Sequence, residues 1–530
     1  MALQWRRLSH LALSPSVRRV IVGVAFGGCV AGCSYTSPAD RETRRTRAER
    51  EAEYRERFPI ADVRSPVLID GAIDDWPEDV YAIADDRWVY LRFRVEPTAS
   101  GFQALQAAGE TLEIRVDLDG NVLTGVGDGV MGVDLVIALS PPYADDPDGI
   151  GNGVALVAYD HQGRARSIGH DDAGFVFSPT YASEWYEARI DRELVRRSRP
   201  AASGGLVTDP GDAALGNGAG VGAVVYTQRD GDGAVVGAAD PVRFVLPPLG
   251  DAERAQVLPP AKRGDVARFV SFNVLRSSPV TDPEPFARVL RALEPTVVML
   301  QEWDDASASD IEAWFERHVG GQWHAATGAG RGVAIASRAP ILAVYDKPIM
   351  AEGGRNPVRI ATALVQTPLR STLVSSVHLK CCGSANSEED RLRIAEAEAI
   401  ATALAGYDAG GLHEIVIGGD YNLVGTRAPL DLIGAQLDTD GGDLDPALPV
   451  VLADSTSYTW REANSRFSSG QLDWIVHSGA SSEAVNAFVL DDDRLADEAL
   501  EVIGIQRGDT SVSDHKPVVL DLRVKPIERN

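Results

Sequence analysis

Six short motifs in the last half of the chain carry side chains able to do chemistry: Ser271-Phe272-Asn273, Leu300-Gln301-Glu302, Val377-His378-Leu379, Gly419-Asp420-Tyr421-Asn422, Leu472-Asp473-Trp474 and Ser513-Asp514-His515. Carboxylates, carboxamides and two histidines brought to one place would form a hydrolytic site around a hard divalent cation. Most of the motifs close an apolar run, as Ile415-Val416-Ile417 does before Gly418-Gly419-Asp420. That is the pattern of a buried sheet delivering polar side chains to one rim. Asp420 and Asn422 stand two apart, so at a strand end both can face that rim.

The elements that must hold these residues follow an α/β pattern. From residue 267 onward apolar strands alternate with helical stretches expected at 285–293, 311–319 and 388–405, the last with Leu392, Ala395, Ala399 and Leu404 at helical spacing. Upstream, over residues 61–248, the pattern changes to short alternating runs between Gly, Asp and Pro turns. Examples are the runs at 88–95, 111–116 and 221–226. Such spacing predicts an antiparallel β-sandwich. Residues 249–266, with Pro259-Pro260 and charged neighbours, read as an interdomain linker. At 530 residues the chain exceeds one ordinary core, so the expected organisation is multidomain.

Residues 267–524 resemble the endonuclease/exonuclease/phosphatase superfamily, the fold of deoxyribonuclease I, in the order, spacing and strand-end placement of all six motifs. Gly332-Val333-Ala334-Ile335-Ala336-Ser337-Arg338 matches a further strand of that family. The resemblance implies a four-layer α/β sandwich and metal-dependent phosphoester hydrolysis. It makes Glu302 the principal Mg²⁺ ligand (Mn²⁺ being an alternative), with Asn273 and Asp514 beside the metal. Asp420 would orient the attacking water or hold a second metal, and Asn422 would bind a phosphate oxygen. His378 would touch the phosphate or help protonate the leaving oxygen. Asp473 would hydrogen-bond His515, fix its tautomer and raise its pKa. His324, His413 and His477 are expected to be structural, while Lys380, Arg331, Arg355 and Arg359 could add positive charge near the substrate.

Ile69-Asp70-Gly71 with Asp74-Asp75-Trp76 and the later run 185–190 are similar to sandwich domains of the family-nine carbohydrate-binding type. Glycan is therefore an expected ligand there, although Trp76, Trp88 and Trp185 sit in apolar strands and suit a core. Asp117, Asp119 and Asn121, with Asp128, bear a loose likeness to a calcium loop. Both a solvated turn and a structural Ca²⁺ stand as readings.

Arg6, Arg7, Arg18 and Arg19 precede an apolar run that ends Val30-Ala31-Gly32-Cys33, which resembles a bacterial lipobox. The resemblance implies a signal peptide over residues 1–32, lipidation of Cys33 and outer-membrane sorting. Residues 33–60 would be a charged tether. Of the four cysteines, Cys29 would leave with the signal. Cys381 and Cys382 remain, as a vicinal disulfide or as two free thiols.

The formal charge of −26 repels nucleic acid at long range, which a locally basic groove could override. The leading expectation is a Mg²⁺-dependent phosphodiesterase at the cell envelope acting on nucleic acid. Phospholipid, inositol phosphate and sugar phosphate are alternative substrates, and a non-catalytic glycan-binding surface protein is the rival from another class.

Overall fold

Alternating apolar residues in the first half build two sheets in the computed structural model, which describes residues 67–525 except 100, 108–109, 122–123, 128–130, 143–150, 161, 195–218, 239, 251–253 and 409–412. The expected signal peptide, Cys29, Cys33, the tether and Asp128 lie outside the described residues. One sheet orders the strands Ala82–Ala84, Trp88–Arg94, Trp185–Asp191 and Val176–Ser178; the other is built around Thr111–Asp117, Leu135–Leu139 and Gly220–Arg229. Val89, Leu91, Phe93, Tyr186 and Ile190 of the first meet Ile114, Val116, Leu135 and Ile137 of the second in one buried cluster. Burying alternate side chains on facing sheets is what makes that pair stable.

The second half has two larger sheets. A seven-stranded sheet centres on Ala267–Asn273, Val297–Gln301 and Val518–Val524, and a six-stranded sheet on Ser371–His378, Glu414–Asp420 and Asp473–His477. The sheets face each other through Phe269, Met299, Val374, Val416 and Ile475. Gly418 lets them approach, because a Cβ there would come within 2.4 Å of the Met299 methyl. Helices Pro283–Leu293 and Ala308–His318 cover the outer face of one sheet, and Glu388–Tyr407 with Ala428–Ile433 cover the other. The three expected helical stretches are each met by a helix that begins within three residues of the expected start; Ser307 and Ser387 cap two of them by accepting backbone N–H bonds.

The two halves belong to one compact unit. Val67, Ile69, Trp76, Tyr90 and Val176 of the first share a buried cluster with the central sheets of the second. Arg189 is buried against Asp454 across this boundary, and Ile69 N–H donates to the Ser455 carbonyl at 2.8 Å. The stretch between the halves also packs on the second: Ala255 forms a bridge with Leu495, and Gln256 donates to Glu498 at 2.9 Å. Among the described residues no helix is long and apolar enough to cross a membrane.

The tryptophans considered for sugar stacking have other partners. Trp76 is buried with its indole N–H on Glu187 at 2.6 Å. Trp88 is covered by the Arg87 and Arg189 guanidiniums, and Trp185 stacks on Tyr81.

Candidate metal-dependent active site

Strand register assembles the site. His378 lies opposite Asp420 in a parallel pair, and Asp420 opposite Asp473 in an antiparallel pair, so three functional side chains occupy adjacent positions across one sheet end. Neighbouring strands are about 4.8 Å apart, which puts same-face side chains within contact of each other. In the facing sheet Asn273 lies opposite Gln301, and Glu302 follows one residue later.

Asn273 joins the two sheets at this rim. Its Nδ2 donates to Glu302 Oε1 at 3.3 Å and to Asp420 Oδ2 at 3.2 Å. Its Oδ1 accepts the Leu275 N–H at 3.1 Å and keeps a second lone pair. Ser513 steadies the other side, donating to the Asn273 carbonyl at 2.8 Å and accepting the His515 N–H at 3.2 Å.

The turn around Glu302 is conformationally costly. Leu275, Arg276, Ser277 and Glu302 all have φ between 49° and 61°, and Asn422 has φ 50°. Left-handed backbone at a residue with a Cβ costs about 1–2 kcal/mol, and such residues gather where function needs a fixed geometry. Here the conformation is held by the Ser277 N–H on the Glu302 carbonyl at 2.8 Å and the Arg276 N–H on Glu302 Oε2 at 3.0 Å.

The two histidines flank Asp420 Oδ2, His378 Nε2 at 3.5 Å and His515 Nε2 at 3.7 Å. His378 Nδ1 lies 2.9 Å from an Arg359 nitrogen. Guanidinium only donates, so Nδ1 must accept and the ring proton sits on Nε2, facing Asp420. Burial, then the Arg359 and His515 charges, hold His378 well below the usual histidine range, as a neutral imidazole. His515 Nδ1 instead meets Asp473 Oδ2 at 2.7 Å. Burial opposes its cation, but the Asp473 and Asp420 carboxylates outweigh that and push it up to about 10. Burial raises Asp420 to about 7; His515 pulls against this shift and Asp473 adds to it. Asp473 is itself located by Thr459, whose hydroxyl accepts its N–H at 2.8 Å.

Asn422 enters the site mainly through its backbone. Its N–H donates to Asp420 Oδ1 at 3.0 Å, while its side-chain Nδ2 donates to the Leu379 carbonyl at 3.2 Å. The hydrogen bond given to Asp514 comes from neither Asn273 nor a neighbour of Glu302: Oδ2 accepts the Trp460 indole N–H at 3.0 Å. Asp420 is the carboxylate that shares the Asn273 amide with Glu302. Of the remaining histidines, His477 is buried and pushed down to about 4 by burial and Lys525, in keeping with a structural role.

The donor set suits a hard cation. Asp420 and Asp473 offer carboxylate oxygens within 4.8 Å of one another, beside His515, which as a cation is no ligand. Asp473 Oδ1 and Asp514 Oδ1 are buried without a hydrogen-bond partner, which is costly unless a cation or water takes the lone pairs. Glu302 adds a further carboxylate from the facing sheet. Oxygen-rich sets of this kind favour hard divalent cations over soft metals. A second group, Asp117, Asp119 and Asp134, lies in the first half. Burial, then the Asp119 charge, pushes Asp134 up to about 8. Only strand pairing, with Val116 opposite Leu135, brings Asp134 to the turn that contains Asp117 and Asp119.

Several residues that shape the site carry no motif. Arg359 orients His378, and Thr459 holds Asp473. Thr180, from the first half, donates to the Leu423 carbonyl at 2.6 Å and to the Gln471 carbonyl at 3.2 Å. It thereby ties the loop just after Asn422 to the loop just before Asp473. Partners this distant in sequence leave no local signal. The Thr459 neighbourhood alone offers a hint, through a polar run that carries an isolated Trp460.

Residues 270–515 match the model of the Endonuclease/Exonuclease/phosphatase family. The second half carries a domain of that family. It is the domain of a metal-dependent phosphoesterase, and the chain is accordingly an enzyme. Solved structures similar to this chain include humanized TDP2 of D. rerio (14% identity, TM-score 0.34, covering 49% of this chain and 100% of that one). The human nocturnin catalytic domain is similar at 16% identity and TM-score 0.34, covering 52% and 97%. An AP endonuclease from Archaeoglobus fulgidus is similar at 16% identity and TM-score 0.32, covering 48% and 98%. No curated protein matches the chain.

Proposed function

We propose that this protein is a Mg²⁺-dependent phosphodiesterase acting on nucleic acid, displayed at the cell envelope through a lipidated Cys33. The observation that carries the hydrolytic reading is the joint enclosure of Asp420 by Asn273, neutral His378 and the Asp473-paired His515. Phosphodiesters resist attack because their oxygens are anionic, and hydrolysis needs charge neutralisation, an oriented water and a proton for the leaving oxygen.

A divalent cation held by Glu302 and neighbouring carboxylates would supply the charge neutralisation. The protein's own residues divide the rest. Asp420, pushed up to about 7, accepts a proton from the attacking water in its ionised form. His515, protonated and oriented by Asp473, donates to a phosphate oxygen or to the leaving oxygen. His378 presents Nε2–H to the phosphate, and Arg359 keeps that tautomer in place.

A cavity of about 770 Å³ beside Glu302 supports nucleic acid as the substrate. Arg276, Arg317 and Arg331 with Trp303 and Trp314 line it, among Asp304 and Asp305. The guanidiniums suit the anionic oxygens of a phosphate backbone, while Trp303 is buried against Trp314 and Phe315. For the first half we propose a β-sandwich that takes glycan through a face other than the covered tryptophans, with Ca²⁺ at Asp117, Asp119 and Asp134.

The test is hydrolysis of DNA, RNA, sphingomyelin and inositol phosphates by the full chain and by Glu302→Ala, with Mg²⁺ and with EDTA. Cleavage of DNA or RNA that both EDTA and the substitution abolish is the expected result. Cleavage confined to sphingomyelin or inositol phosphates would replace the substrate, and rates indifferent to EDTA would sink the metal-dependent mechanism.

A further inference from the structure

Cys381 and Cys382 follow closely on the strand that ends at His378, and their Sγ atoms lie 2.8 Å apart as free thiols. Cys382 is exposed, so a small oxidant can reach the pair. It has φ 72°, a left-handed conformation uncommon outside glycine. The backbone turn that results brings two successive side chains together. Lys380 Nζ stands 3.9 Å from Cys381 Sγ, a cation beside the sulfur that would attack first.

The thiol turn is wired to the active site. The Cys382 carbonyl accepts Arg393 Nη2 at 2.9 Å, and the other Arg393 nitrogen, Nη1, donates to the Asn422 carbonyl. Arg393 is fully buried, so both bonds are made away from competing water. Asn422 in turn holds Asp420 Oδ1 and the Leu379 carbonyl. A change in the Cys382 peptide therefore reaches Asp420 through one rigid guanidinium.

We propose that Cys381 and Cys382 form a reversible oxidation site that closes as a vicinal disulfide and lowers hydrolysis by displacing the Cys382 carbonyl from Arg393. With glutathione disulfide as oxidant, Cys381 sulfur attacks one glutathione sulfur, releasing one glutathione thiol and leaving a mixed disulfide. Cys382 sulfur then attacks Cys381 sulfur and releases the second glutathione thiol. The protein pair gives up two electrons and the oxidant gains them; the two thiol protons end on the two glutathiones.

The second part rests on the proposed phosphoesterase reading, and the test separates the two. The full chain is equilibrated in glutathione buffers of graded ratio and alkylated, and the peptide containing residues 381–382 is then mapped by mass spectrometry. The expected result is joint loss of both thiols, a peptide lighter by two hydrogens, a monomer on non-reducing gels and full reversal by dithiothreitol. Separate glutathione adducts, disulfide-linked dimers or persistent thiols would overturn the site. In the second arm, oxidised wild type is expected to hydrolyse substrate several-fold more slowly than reduced wild type, with Cys382→Ser indifferent to the buffer. Equal rates in both forms overturn the coupling. No hydrolysis in either form, with the disulfide present, overturns the phosphoesterase reading and leaves the oxidation site standing.

Discussion

His378 and His515 approach the same Asp420 oxygen from two sides, yet the structure keeps one neutral and the other charged. On one side burial suppresses the cation and Arg359, on Nδ1, adds to the suppression. On the other Asp473 occupies Nδ1 and sustains a cation although that ring is buried too. The residue type does not decide what an imidazole does; the partner of its distal nitrogen does. Two histidines so divided can serve one reaction as neutral donor and charged acid, whereas two cations around one carboxylate would repel.

The sharpest way to break this contrast is Asp473→Asn. It leaves His515 without its carboxylate, and kcat should fall about 10²–10⁴-fold, the usual range for loss of an oriented acid or base. In the metal-free protein the His515 ring resonance should then titrate far below its wild-type value of about 10. An unmoved titration would show that Asp473 does not sustain the charge.

Arg359→Met attacks the other side. Burial and the His515 charge remain, so His378 should still titrate below the usual histidine range but less far below it than in wild type. The pH–rate profiles of both proteins should show the acid-side loss of activity setting in at a higher pH in the variant.

Stability should follow the same division. His515, with a raised pKa, stabilises the fold fully below about pH 6.5, and this contribution is lost as pH rises through about 10. His378, with a depressed pKa, acts in reverse: below pH ~6.5 the unfolded chain takes up a proton that the folded one refuses, so stability falls with pH. Urea unfolding between neutral and mildly acidic pH should show less acid loss in Arg359→Met than in wild type.

The smallest expected effect is Thr180→Val. It removes the single hydroxyl donor shared between the loops beside Asn422 and Asp473, and should cost about 0.5–1.5 kcal/mol. The same change should lower kcat more than it raises KM, with Thr180→Ser restoring it. A change in stability alone would confine Thr180 to holding the halves together.

Much of the second half is legible in the amino-acid order. Apolar runs ending at Asn273, His378 and Asp420 mark strands whose last residues share a rim, and the helical spacing of Leu392, Ala395 and Ala399 marks the covering helix. The same order does not reveal that Asp420 takes the place beside Asn273 and Glu302 while Asp514 turns to Trp460. That depends on which strands pair and in what register. The expected linker shows the same limit: Ala255 and Gln256 bond to residues more than two hundred positions away, which no composition rule anticipates.

What this sequence determined by itself was the chemistry on offer and the element types that carry it, because side-chain identity and apolar period are local properties. The tertiary structure decided the protonation of the two histidines, the fusion of the halves and the path from Cys382 to Asp420. Each of these turns on a charge or hydrogen bond between distant residues, and its strength depends on burial that only the packed chain creates.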